Sequence, residues 1–145
     1  MKIPSAGRIV SLAFAHHHGT LLFVFSQSPH HSEIMGLNAR GNDSAKSLLV
    51  GVGVNHIAHD WVAGNIYYAA SGVGVGVCSE DGMYCRLLFP VWQVEDAEPA
   101  QKYLRLLTYP RRGMLIWLEV SSEHPSGVVF AAGMDGTTKV GELRT

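Results

Sequence analysis

Gly19, Gly64 and Gly113 stand 45 and 49 residues apart, each at the same place in a recurring pattern. The first copy runs Ser11-Leu12-Ala13-Phe14-Ala15, three residues, then Gly19-Thr20-Leu21-Leu22-Phe23-Val24-Phe25. The second runs His56-Ile57-Ala58-His59-Asp60, three residues, then Gly64-Asn65-Ile66-Tyr67-Tyr68-Ala69-Ala70. The third runs Arg105-Leu106-Leu107-Thr108-Tyr109, three residues, then Gly113-Met114-Leu115-Ile116-Trp117-Leu118-Glu119. Each closes on a glycine turn, at Arg40-Gly41, Asp81-Gly82 and Asp135-Gly136. A period of this length is the mark of a chain built from supersecondary units that bury their apolar faces on one another.

One unit reads as four short strands. A first strand ends at a tight turn carrying the glycine, and an aromatic-rich second strand follows. A looser loop leads to a third strand. Asp-Gly or a relative then turns into the fourth, as type I′ hairpins with positive φ at both central residues do. The expected fourth strands are Ala45 to Val50, Cys85 to Phe89 and Thr138 to Leu143. β-Branched and aromatic residues fill these runs while helical periodicity is poor. The expectation is an all-β fold of about three four-stranded antiparallel units, over 8–50, 51–101 and 102–145, at the spacing of propeller blades. A sandwich of about twelve short strands is the alternative. Val91 to Gln101 reads as an extended connection and Ser121 to Gly127 as an enlarged loop.

The 145 residues are 47% hydrophobic and 16% charged, enough apolar material for a packed core. A formal charge of -1 gives no reason to expect nucleic acid or an anionic membrane surface as partner. No apolar run approaches the roughly 18–20 residues of a membrane span. Lys2 and Arg8 before Ile9 to Ala15 faintly resemble a signal peptide, but that stretch fits the repeat. Cys78 and Cys85 flank Glu80-Asp81-Gly82. If Asp81-Gly82 is a hairpin tip they face each other, and a disulfide, which needs Cα atoms about 4.4–6.8 Å apart, is expected. Such a bond points to an oxidising compartment.

Ile57 to Tyr68, Tyr109-Pro110-Arg111-Arg112-Gly113 with Ile116-Trp117, and Ala132-Gly133-Met134-Asp135-Gly136 resemble the YWTD (class B) repeats of the low-density lipoprotein receptor family. The resemblance covers Arg8 to the C-terminus. It implies a six-bladed β-propeller, of which this chain holds three blades, in the ectodomain of an endocytic or signalling co-receptor. It further implies an extracellular protein ligand, a neighbouring epidermal-growth-factor-like module or remaining blades, and a place at the cell surface or in endosomes. Where the family has Tyr-Trp-Thr-Asp, the chain has Leu22-Phe23-Val24-Phe25, Tyr67-Tyr68-Ala69-Ala70 and Ile116-Trp117-Leu118-Glu119. The hydrogen-bonding half is gone from the first two copies and only Glu119 keeps an acid, which puts the family's blade-to-blade polar contacts in doubt. A fragment, short isoform or partial gene product is the expected status.

His16-His17-His18 and His30-His31 fall in expected exposed loops and carry no carboxylate at ligand spacing, so no metal or cofactor is expected. His56 and His59, an odd number apart on one strand, should face opposite sides. One of them is a candidate pH-sensing group. Gly72-Val73-Gly74-Val75-Gly76 lacks the strand-turn-helix setting of a dinucleotide loop and reads as a loop entering a strand. No nucleophile elbow or paired carboxylates mark an enzyme. A calcium-dependent propeller hydrolase and a non-functional fragment are the alternatives. Trp92, Glu95, Asp96 and Glu98 in the connection, with Glu123 and His124, form the candidate acidic rim for a basic protein ligand.

Overall fold

The computed structural model describes residues 6–40, 44–51, 53–90, 103–120, 127–137 and 139–144, with residues 103, 104 and 139–144 described by their backbone alone. Its regular structure is twelve strands and one turn of 3-10 helix. The strands form three antiparallel sheets of four, each a meander in chain order. The first contains β1 (Arg8–Ala15), β2 (Thr20–Ser28), β3 (His31–Asn38) and β4 (Lys46–Gly51). The second contains β5 (Val54–His59), β6 (Ile66–Ala70), β7 (Gly74–Cys78) and β8 (Cys85–Pro90). The third contains β9 (Tyr103–Tyr109), β10 (Met114–Val120), β11 (Val128–Gly133) and β12 (Lys139–Arg144). The fourth strands lie within a residue of their expected bounds.

The three repeat glycines do the same work. Gly19, Gly64 and Gly113 adopt φ of 60°, 79° and 60°, left-handed values that a side chain resists. Gly113 ends the helical turn Pro110–Arg112 before β10. The Asp-Gly turns differ from expectation. Gly82 donates its N–H to the Ser79 carbonyl, and Gly136 to Gly133. The central pairs are therefore Glu80-Asp81 and Met134-Asp135, with glycine one place later than a type I′ turn has it. Asp81 and Asp135 turn back on the chain to accept N–H groups of Met83 and Thr137, and short acceptors of this kind favour such loops.

Two loops are shorter than expected. Between β2 and β3 only Pro29 and His30 intervene, so His31 opens a strand rather than lying in a loop. Gly74 and Gly76 also belong to a strand, β7. A Cβ on Gly76 would run into the Tyr68 ring from the neighbouring strand, so the glycine is needed to let that ring lie flat on the sheet. The expected connection at Val91 to Gln101 lies outside the described residues, as does the loop Ser121 to Gly127 except for Gly127.

The sheets stack in chain order, with their first strands adjacent. Between the first and second lies a core of Leu22, Val24 and Ile34 against Val54, Ile57 and Ile66. Between the second and third, Tyr67, Ala69 and Val75 meet Leu106, Leu115 and Trp117. Trp117 is stacked between Phe89 and Phe130, with ring centroids 5.1 and 5.4 Å away. Such pairs add about 0.5–1.5 kcal/mol each beyond their burial.

One packing operation makes both seams. The Ile57 N–H on β5 donates to the Ser11 hydroxyl of the first sheet at 3.1 Å. The Leu106 N–H on β9 donates to His56 Nδ1 of the second sheet at 3.4 Å. Ser11 and His56 hold one repeat position, and Ile57 and Leu106 the next. Likewise Gly82 lies against the Leu48 carbonyl of β4, and Gly136 against the Leu88 side chain of β8. Each first strand is the edge of its sheet, and its outward N–H would be unpaired without the neighbour.

Candidate functional site

The turns joining first to second strands and third to fourth strands gather at one end of the stack. There a cleft of about 720 Å³ opens between the first and second sheets. Side-chain size differs between the two seams at this end. Gly36 on β3 pairs with Leu22, where the second sheet has Val77 paired with Tyr67. The smaller pair leaves space that Tyr67 fills at the other seam, where its hydroxyl donates to the Met134 carbonyl at 3.1 Å.

Polar and charged groups ring the cleft, among them His18, Lys46, Asn65, Glu80 and Asp81. Glu80 Oε2 lies 3.5 Å from His18 Nε2, an ion pair when the imidazole is protonated. Glu80 Oε1 is buried and has no hydrogen-bond partner among the described residues. Asp81 is fixed by the Ser79 hydroxyl at 2.6 Å and by the Met83 N–H. Donation from Ser79, and then from Met83, holds the exposed Asp81 carboxyl below its ordinary range. The cleft can accept a cationic or hydroxyl-bearing group; among the described residues its walls offer two carboxylates against one lysine.

The rim beside it is aromatic and basic. Asp60, 5% exposed, accepts the N–H groups of Val62 and Ala63 and so shapes the turn carrying Trp61. His17 Nε2 meets the Trp61 carbonyl at 2.7 Å, and the Arg111 guanidinium lies 5.6 Å from the centre of the Trp61 ring. One turn from each sheet thus meets at Trp61, the first at its carbonyl and the third at its ring. The three consecutive histidines do lie in an exposed turn, as expected.

His56 and His59 face opposite seams. His59 is buried at the first, and neither ring nitrogen has a hydrogen-bond partner among the described residues. Burial is the main influence lowering its pKa, with His16 and His17 in support and the Glu80 and Asp60 carboxylates in opposition. At the second seam burial, then Arg105, lowers the pKa of His56. Thr108, at the repeat position of His59, donates its hydroxyl to the His59 carbonyl at 3.1 Å.

Cys78 and Cys85 are bonded, directly opposite one another on β7 and β8 with Cα atoms 4.1 Å apart, a little closer than the usual span. The disulfide is consistent with an extracellular location. Among the described residues no helix is long and apolar enough to cross a membrane. Trp92, Glu95, Asp96, Glu98, Glu123 and His124 lie outside the described residues. Sequence reasoning missed Ser11 and the pairing of His18 with Glu80. Ser11 was within reach, because aligning it with His56 exposes two acceptors at one repeat position. The pairing of His18 with Glu80 depends on how the sheets stack and leaves no trace in the pattern. Ser11, His56, Tyr67 and Thr108 supply polar contacts across the seams. No family model matches the chain, and no curated protein matches it.

Proposed function

We propose that the chain is a binding module: three blades of a six-bladed, YWTD-type β-propeller from the ectodomain of a receptor of the low-density lipoprotein receptor type. Its role is to hold an extracellular protein ligand during endocytosis or co-receptor signalling. The observation that carries the reading is the repetition of one packing operation at two seams, with first strands adjacent. Repeating such an operation radially is how propellers protect sheet edges. The disulfide supports the extracellular setting. The cleft between the first two sheets supports a ligand with basic side chains, because Glu80 and Asp81 outweigh Lys46 there.

The test is to express the chain behind a secretion leader and immobilise it. Basic and acidic secreted proteins are then titrated over it at neutral pH. Saturable binding of basic proteins, weakened by Glu80→Gln with Asp81→Asn, is expected. Indifference to ligand charge, or calcium-dependent turnover of ester and lactone probes, would favour the propeller-hydrolase reading instead.

A further inference from the structure

The repeated seam tells which positions a neighbouring sheet covers. Leu12, Ile57 and Leu106 hold one repeat position, facing the preceding sheet. Ile57 and Leu106 are 2% and 1% exposed; Leu12, with no described sheet before it, is 61% exposed. Ala13, Ala58 and Leu107 hold the next position, facing the following sheet. Ala13 and Ala58 are partly buried, whereas Leu107 is 66% exposed. Phe14 beside Leu12 and Tyr109 beside Leu107 are exposed in the same way.

The two outer faces are apolar beyond these strands. On the first sheet, cross-strand pairing puts Leu21, Phe23, Phe25, Met35 and Val50 on the face of Leu12 and Phe14. Phe23 and Phe25 are already buried there, with Gly7 against the Phe25 ring, so the open part of the face is at Leu12, Phe14 and Val50. On the third, Ile116, Leu118 and Val129 share the face of Leu107. A sheet face meant for water alternates toward polar residues, and these do not. Among side chains described there, each face carries one formal charge, and the signs are opposite: Glu33 on the first sheet and Arg105 on the third. Arg105 holds the position of Ser11 and His56 but has no acceptor, so it does not copy their bond. It brings a positive charge to a face whose own charge is negative.

We propose that a second copy of this chain occupies both faces. This rests on the six-blade reading above: three sheets make half of such a ring. Two copies related by a twofold along the ring axis set the third sheet of each on the first sheet of the other. The chain carries both halves of the joint, of complementary charge, at opposite ends of its stack. Each joint is head-to-tail and continues the seams already inside the chain, and head-to-tail contacts that come full circle form closed rings.

Light scattering on the eluting 145-residue protein, with Leu12→Asp and Leu107→Asp, tests this. Both side chains are exposed in the single chain, so neither change should disturb its fold, which far-ultraviolet circular dichroism checks. The unaltered protein should elute at about twice the 15.7 kDa of one chain. Each variant alone should elute as a folded single chain, because each spoils both joints. An equimolar mixture of the two should regain a dimer, since pairing them leaves one joint untouched. A folded monomer of the unaltered protein, aggregates without a dimer, or variants that stay dimeric would overturn the second copy and leave the ring open to other blades. An elongated dimer by small-angle X-ray scattering, or an unending ladder of species, would overturn the six-blade ring as well.

Discussion

Replacing Ser11 by alanine isolates the bond that joins the first two sheets. Ser11 is 8% exposed, and its hydroxyl accepts the N–H of Ile57, a residue 2% exposed, at 3.1 Å. Alanine removes the acceptor and admits no water, so the Ile57 N–H stays buried without that partner. A buried donor stranded this way costs about 1–3 kcal/mol. For a chain of this size that corresponds to a fall in Tm of roughly 3–9 °C. Differential scanning calorimetry on Ser11→Ala is the assay. Ser26→Ala, which removes an exposed bond to the Ser28 carbonyl, serves as the control and should fall within about 0.5 kcal/mol of the unaltered protein. If Ser11→Ala melts with the control, the seam is held by apolar packing alone, and the argument from edge capping fails.

Acid should weaken both seams. The folded state lowers the pKa of His59 and His56, chiefly by burial, so the unfolded chain takes up protons first. Stability should therefore be full above the ordinary histidine value of about 6.5 and decline as pH falls below it. Urea midpoints from pH 7.5 to 5 check this, and His59→Asn with His56→Asn should flatten the profile. Replacing Cys78 and Cys85 together by serine opens a short loop and should cost about 2 kcal/mol, read from chemical denaturation without reductant. Gly76→Ala should cost about 1–3 kcal/mol by displacing the Tyr68 ring, as overpacking does. Tyr68→Ala in the same background should recover part of that loss, which a double-mutant cycle would show.

The repeat made much of the fold legible. Glycines at fixed spacing, alternating apolar runs and Asp-Gly pairs located the first, second and fourth strands of each unit, their division into three fours and the opposed cysteines. Those signals are local, and local chemistry decides them. The hairpin geometry was misread because Asp-Gly marks a type I′ turn only when strands close around two residues. Ser79 and Gly133 each begin a loop with glycine one place later instead. Gly76 looked like a loop residue because the ring it accommodates belongs to another strand. The cleft was invisible for a related reason: it opens where Leu22 and Gly36 stand at positions that Tyr67 and Val77 fill one sheet later. The candidate acidic rim rested on charge in segments that lie outside the described residues; among the described residues, the carboxylates that line a cavity are those of the β7–β8 turn.

The central claim is that one packing operation repeats along the chain, and amide hydrogen exchange followed residue by residue tests it most directly. The Ile57 and Leu106 amides lie on edge strands yet should exchange as slowly as amides inside a ladder. Ser11→Ala should release Ile57 alone, and His56→Ala should release Leu106 alone. Exchange of both at the fast rate of an open edge, in the unaltered protein, would contradict the account.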